Sequence, residues 1–508
     1  MMAVDDLREI FHINKIAPSE LQDFLTAQTY RPDITISYQK IFELRNKTLQ
    51  QLCASKIQQG STPVYANIGP VCLKSKQVGE IVVSDFTDTC VDEEWAKKNL
   101  KSKVSTGDVL LTRQGTGTIG RAGLYLGAGA YTNDSLFKIS IDKADSAYVC
   151  AFLSTFIGHR LIEKGVYGST GQLNLSVEHV KRLPVPVFDQ QSQKYIGDKV
   201  RQAEQLRAWA KRLEVQFQGK LATSYPEAFE NKRTGRKYSK APVDDISYTL
   251  NPGAFDEERL RIRLYLKSLG AKKLREIATI EGPTSSSYLP DSKYIGLDAI
   301  SSNSCALSPS TVGESEVTGT SRLLSEGPVV AKLRPYLNKV SYIPKWLSGA
   351  VGSTELLCVK ATDVTNNWYL YGVLKSDITL LQLKPLASGS THPRIDQYDL
   401  YDVVVPIHQN HELMGSWLED AQCAYFAASQ LVQTSKKLVE ALIEGQLTEQ
   451  QLIQAQQALD DGDNSLDQAI LSKLSNEGYA IEGATPLFSD LDELYRLLES
   501  AAQAEGEE

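Results

Sequence analysis

A chain of 508 residues, 42% hydrophobic and 23% charged, has the length of two to four domains and the balance of an ordinary soluble globular protein. No run approaches the roughly 18 apolar residues of a membrane helix, and the opening MMAVDDLREIF lacks the basic-then-apolar order of a secretory leader. The seven cysteines form no CxxC pair, so membrane and disulfide-framework classes are excluded and a reducing cytoplasm is the expected compartment.

The net charge of −8 is unevenly spread. Residues 444–508 hold fifteen acidic side chains against Lys473 and Arg496, which leaves 47 acidic and 52 basic residues in 1–443, a net of +5. A mildly basic body permits a phosphate-facing surface without demanding one.

In chain order, a charged helical stretch comes first, YQKIFELRNKTLQQLC from Tyr38. Short β-like runs follow, rich in Val, Ile, Tyr and Thr and punctuated by Gly, Pro and Ser; one of them, VLLTR, ends at Arg113. The stretch RAGLYLGAGAYTND reads as a β-hairpin and loop. A compact helix is expected over YVCAFLSTFIGHRLI from Tyr148, then the loop YGSTGQLNL (Tyr167 to Leu175) and an edge strand in KRLPVPVF (Lys181 to Phe188). In the long helical segment beyond it, Ala203, Leu206, Ala210, Leu213 and Phe217 step by three and four, the spacing of an interhelical seam. Residues 222–250 are polar, proline-containing and basic around Lys232 to Lys240, the composition of a linker.

The same series then starts again. FDEERLRIRLYLKSLGAKKLREIA from Phe255 is helical, VVAKLR ends at Arg334, and NNWYLYGVLKSDITLLQL from Asn366 is the second compact helix. ASGSTHPRID (Ala387 to Asp396) and LYDVVVPIH (Leu400 to His408) follow, and then a second long helix with Leu413, Trp417, Ala421, Ala424, Ala428, Leu431, Leu438 and Leu442 on one stripe. The offset is 221 for the arginines and for Gly-Ser-Thr, and 220 for Pro186 against Pro406. Three matches in one order at one offset indicate a duplication. Roughly 34 residues of helix span about 50 Å, so two such helices lying antiparallel would form a strut between the halves; each helix packing on its own domain is the alternative. Thr448 with Gln451 makes a capping box that opens a helical, acid-rich tail broken at GDNS, read as a solvated extension.

Several chemistries are looked for and not found. Gly115, Gly117 and Gly120 fit GxGxxG, but the dinucleotide fingerprint needs a following helix, and the matched KLRPYLNKV has no glycine. No GxxxxGK[ST] phosphate loop occurs. Asn251-Pro252-Gly253-Ala254 lacks the second proline and the aromatic residue of an amino-methyltransferase motif, and Pro290, Asp291 and Lys293 are too closely spaced for a nuclease. His408 and His411 have no nearby cysteine to complete a metal site.

GDVLLTRQGTGTIGRAGLY followed by NDSLFKI, GSTGQLNLSVEHVKRLPVPVF with its trailing helix, and KLRPYLNKV, GSTELLCV and SGSTHPRIDQYDLYDVVVPI together resemble the DNA specificity subunits of type I restriction–modification systems, over nearly the whole chain to about residue 447. The resemblance implies an α+β fold with two tandem, similar target-recognition domains at 1–187 and 251–407. A central long helix and linker would occupy 188–250, a second long helix 408–447 and the acidic extension 448–508, with the long helices antiparallel in pseudo-twofold arrangement. It further implies a non-catalytic chain that reads a bipartite site in double-stranded DNA. Its partners would be adenine methyltransferase subunits, with a translocating restriction nuclease as a further partner. No cofactor is expected on this chain; S-adenosylmethionine would bind the partner. A scaffold or specificity factor of another DNA-modification or phage-defence complex is the competing reading.

Base-edge readers should be Arg for guanine, Asn or Gln for adenine, and Ser or Thr for either. The first half offers Arg113, Gln114, Thr116, Thr118 and Arg121, then Ser169, Thr170, Gln172 and Asn174. The second offers Lys332, Arg334, Tyr336, Asn338 and Lys339, then Ser390, Thr391, His392 and Arg394. Against this, Gly-Ser-Thr is common turn composition, and internal ion-pair partners are the alternative reading of Arg113 and Arg334.

Overall fold

The computed structural model describes residues 16–18, 21, 25–84, 87–115, 117–168, 173–230 and 250–506. Two compact units emerge, Met1–Glu204 with Ala428–Arg496, and Gln205–Ala427 with Leu497–Glu508. The basic stretch around Lys232 to Lys240 lies outside the described residues.

In unit 1 the helix Pro32–Phe42 begins earlier and ends sooner than the expected stretch from Tyr38. Asn46 Nδ2 donates to the carbonyls of Ile41 and Leu44, which closes the helix end. Asn46–Thr48 is then free to pair antiparallel with Pro184–Pro186, and the remainder, Leu49–Leu52, is a 3-10 turn. A five-stranded sheet runs Gln58–Gln59, Leu136–Ile139, Val109–Thr112, Ala122–Leu124, Ile81–Val82. A four-stranded sheet runs Cys90–Val91, Tyr65–Leu73, Ala130–Thr132, Lys103–Val104. The expected hairpin after Gly120 therefore does not form: Ala122–Leu124 and Ala130–Thr132 belong to different sheets. Leu73, Val78, Val104, Leu110, Tyr125 and Leu136 form the core between strands and loops.

Unit 2 has the same composition of parts. Ala278–Glu281, Leu356–Ala361, Gly327–Ala331 and Val340–Ile343 make a four-stranded sheet, and five short strands make a second sheet. Ile295, Leu324, Val329, Ile343 and Leu356 lie at its core. Each compact helix of the sequence reading is two helices, Ser146–Leu153 with Phe156–Glu163 and Asn367–Lys375 with Asp377–Leu383. The break has one cause in both units. The hydroxyl of Thr155 or Ser376 donates 2.7 Å to the carbonyl of Phe152 or Val373 and so diverts the chain out of the first helix.

The duplication is thus present bond by bond. Asp145 caps the first helix of its pair through Tyr148 N at 3.0 Å, and Asn366 does so through Tyr369 N at 2.7 Å. Tyr148 Oη donates to Pro186 O at 2.8 Å, and Tyr369 Oη to Pro406 O at 3.0 Å. Each tyrosine is buried and ties its helix pair to the V-P strand that launches a long helix, Gln190–Ser224 or His411–Ile443. Both long helices divide between the two units, the first at Glu204 and the second at Ala428.

The tail differs from expectation. Thr448 and Gln451 form the capping box and helices run over Glu449–Asp460, Ser465–Leu471 and Leu491–Gly506, but the segment is not solvated. Leu452, Ala455, Leu471, Leu474 and Leu494 are buried in unit 1, and Asp467 makes a buried ion pair with Lys199 of the first long helix. The acidic residues form the outer face of a packed element, and burial of its apolar stripe holds it down.

One polar core in unit 2 gives a pH prediction. Lys375 Nζ donates to the carbonyls of Ser301, Val340 and Asn338 at 2.6, 2.9 and 3.1 Å, and burial pushes its ammonium down to about 8 despite half-buried Glu214 nearby. Between about 8 and the ordinary 10.5 the unfolded chain binds more protons than the folded one, so this group makes stability rise with pH through that window. Lys375→Met should remove that contribution to the slope; identical slopes in urea unfolding of parent and variant from pH 8 upward would refute it.

Candidate nucleic-acid interface

The buried strand Val109–Thr112 delivers Arg113 to the surface, where it is half-buried. Its backbone is gripped on both sides: Arg113 N donates to Ser135 O at 2.8 Å, and Arg113 O accepts from Leu175 N at 2.9 Å. The second bond joins the strand end to the far side of the Gly-Ser-Thr loop. The candidate cluster that starts at Arg113 and the one that ends at Asn174 are therefore neighbours. Arg113 Nη1 makes only long bonds, 3.3 Å to Asp134 O and 3.5 Å to Gln114 Oε1.

The glycine motif closes a tight loop between two strands. Gly120 N donates to Thr112 O at 2.9 Å and Thr118 N to Gly115 O at 3.1 Å, with φ of +138°, +70° and +81° at Gly115, Gly117 and Gly120. A Cβ on Gly115 would stand 2.4 Å from Thr118 Oγ1. No helix follows, which removes the dinucleotide reading. Thr118 Oγ1 is buried without a hydrogen-bond partner, whereas Arg121 is exposed. Thr116, Ser169, Thr170 and Gln172 lie outside the described residues.

Gln114 and Asn174 line one cleft of about 1050 Å³ with Gly115, Gly117, Gly120 and Tyr167. Its other wall is the helix Phe156–Glu163, presenting Phe156, His159, Arg160 and Glu163. Arg31, Asp33, Arg160 and Glu163 form a closed ion network with contacts of 2.5–3.3 Å. The hydrogen bond from Arg31 holds the Asp33 carboxyl below the usual range. Burial lowers the His159 imidazole below its ordinary value, so it is neutral at pH 7. Phe156, His159, Arg160 and Tyr167 were not singled out by sequence reasoning. Only Tyr167 had a local signal, its place in front of the Gly-Ser-Thr loop.

In unit 2 the buried strand Gly327–Ala331 leads to Lys332, whose N donates to Glu355 O at 2.8 Å and whose O accepts from Ile395 N at 3.1 Å. Leu175 and Ile395 are related by the repeat, so the returning loop docks on the strand end in both units. Arg334 N donates to Pro393 O at 2.7 Å, and a 3-10 turn, Pro335–Leu337, replaces the glycine loop. Arg334 and Asn338 flank it in left-handed conformation, at φ +48° and +50°. Asn338 Nδ2 donates to Lys375 O at 2.8 Å and Lys339 Nζ to Ile300 O at 2.5 Å, so both side chains are used in holding the turn. Tyr336 is exposed. Ser390, Thr391 and His392 are exposed at the tip of a loop pinned by reciprocal Ser388–Arg394 backbone bonds of 2.9 and 3.0 Å. Arg394 grips Glu355 through Nε and Nη2 at 3.0–3.2 Å.

No protein-family model and no curated protein matches the chain. Solved structures do. A type I restriction–modification S subunit from M. genitalium is 13% identical over 81% of this chain and 95% of its own, with a TM-score of 0.35. The HsdS subunit from Thermoanaerobacter tengcongensis is 13% identical over 79% and 97%, with a TM-score of 0.25. A chain from a study of type I system assembly and conformational transition is 12% identical over 81% and 97%, also at 0.25. This chain is similar to these three.

Proposed function

We propose that the chain reads a two-part sequence in double-stranded DNA, one part with each unit, and directs a partner adenine methyltransferase to it. The observation that carries this reading is the repeated strand-end geometry. In both units a buried strand delivers a basic residue to a turn, and the Gly-Ser-Thr loop returns to bond the strand end. The frame beneath is the same down to Tyr148 and Tyr369, while the tips differ: glycines, Gln114 and Asn174 in one, Arg334, Tyr336 and His392 in the other. One frame with two sets of polar tips is what recognition of two different short sequences requires, because base-edge contacts specify and phosphate contacts only position. The excess of basic residues over 1–443 supplies the sequence-independent part of the affinity.

In this reading the chain contributes recognition and no chemistry. S-adenosylmethionine and the extruded target adenine belong to the methyltransferase. Among the described residues no helix is long and apolar enough to cross a membrane.

The test is co-expression with an adenine methyltransferase encoded beside this gene, light scattering of the purified material, and methylome sequencing of the host. A stable complex and a methylated split motif that vanishes on deletion of this gene are expected. An unchanged methylome on deletion overturns the proposal.

A further inference from the structure

The cleft of unit 1 encloses about 1050 Å³ beside the glycine loop. We propose that it takes an unstacked purine extruded from the duplex, an inference that rests on the DNA-reading function above. Two aromatic rings line it: Phe156 is 58% exposed, with the Arg160 guanidinium 5.0 Å over one face, and Tyr167 is 43% exposed. Aromatic faces stack on any base that leaves its helix. Beside them stand two amide side chains, Gln114 and Asn174, the group whose donor and acceptor match the two-point edge of adenine.

Charge decides against the main alternative, a phosphate. The wall carries Arg160 and Glu163, and Arg31 and Asp33 close ion pairs onto them at 2.5–3.3 Å, so the four groups sum to zero. A paired network offers no field to an anion and suits a neutral planar ligand. Arg160 Nε, buried beside the cleft without a partner, is a donor left over for a ring nitrogen or carbonyl. Access comes from the glycine loop: a Cβ on Gly117 would meet nothing within 4 Å, so this backbone borders open space and lets a base approach closely.

The set is peculiar to unit 1. By the matched strand-end bonds and helix pairs, Gln114, Phe156, Arg160, Tyr167 and Asn174 correspond to Leu333, Asp377, Leu381, Ser388 and Arg394, which keep no aromatic or amide group. The cleft is therefore an addition to the shared frame, and the two units read by different means.

The experiment uses the full chain with its methyltransferase and duplexes carrying 2-aminopurine at successive positions of the methylated motif, since this base brightens when unstacked. Emission should rise about threefold or more at one position other than the methylated adenine. Tyr167→Ala and Gln114→Leu should each remove at least about half of that rise at protein concentrations that saturate the duplex, so that weaker binding does not enter the readout. Free 2-aminopurine nucleoside, titrated in parallel, separates the two sources of a purine. Binding of the nucleoside with no rise in any duplex overturns the extruded base. A rise confined to the methylated adenine, or one that both variants leave intact, overturns the cleft as its site. Absence of duplex binding by the parent chain overturns the DNA-reading function itself, a result distinguishable from the other three.

Discussion

Asp467→Ala should lower the unfolding free energy by about 3–5 kcal/mol, the usual cost of stranding one partner of a buried ion pair. Asp467 and Lys199 are each only 2% exposed, and Lys199 Nζ donates to both carboxylate oxygens at 2.7 and 2.8 Å. The same carboxylate accepts from Tyr195 Oη and Tyr495 Oη, each at 2.5 Å. Removing it leaves the buried ammonium of Lys199 and the buried phenol of Tyr195 without that acceptor, whereas a surface pair would cost almost nothing. Replacing both charges, Lys199→Met with Asp467→Leu, should recover most of the loss, because the desolvation cost disappears with the attraction. Urea midpoints with slopes for parent, single and double variants decide it. A loss below about 1 kcal/mol for Asp467→Ala would mean that apolar packing alone seats the tail.

That pair also marks where the sequence stopped being informative. The tail has fifteen acids and two basic residues, so composition points to solvent. Its apolar positions are few and split among short helices, and the complementary charge, Lys199, lies more than 260 residues away on a helix read for its apolar seam. Pairwise contacts across such a distance leave no local trace. The repeat, by contrast, was legible because one offset ties together residues with strong roles: Tyr148 and Tyr369, the caps Asp145 and Asn366, the prolines of the V-P strands. Both long helices were legible through periodicity, and the breaks within the helix pairs were not. Thr155 and Ser376 were capable of capping or of sitting inside a helix, and their hydroxyl bonds to Phe152 and Val373 decided the matter. In the reading loops the residue types were visible but their use was not. Asn338 and Arg394 have the chemistry of base readers, yet the fold engages one with Lys375 O and the other with Glu355. The cleft wall came from the helix Phe156–Glu163, whose aromatic and charged residues look like any amphipathic surface until the loop is placed against them.

Arg334→Gly separates backbone from side chain at one reading turn, and the expected result is a divergence between stability and binding. An L-residue held in left-handed conformation costs about 1–2 kcal/mol, and glycine removes that cost at roughly 0.5–1 kcal/mol of added chain entropy. Stability should therefore stay within about 1 kcal/mol of the parent. The two bonds that fix the turn, Arg334 N to Pro393 O and Leu337 N to Arg334 O, are made by the main chain and survive the change. Unit 1 has solved the same corner with Gly115, Gly117 and Gly120, and there the preceding Arg113 is not left-handed. Strain kept at Arg334 when glycine was sterically available indicates a use for the guanidinium, whose Nε is buried without a partner in the free protein. A forked contact to one guanine is worth about 1–3 kcal/mol, so affinity for the cognate duplex should fall about tenfold or more, with a much smaller loss on unrelated DNA. Arg334→Lys keeps the charge and loses the fork, and should therefore lower discrimination while leaving the salt dependence of binding nearly unchanged. Parallel losses of stability and affinity in Arg334→Gly would make this arginine an architectural residue. Unchanged affinity with intact stability would remove it from the recognition surface.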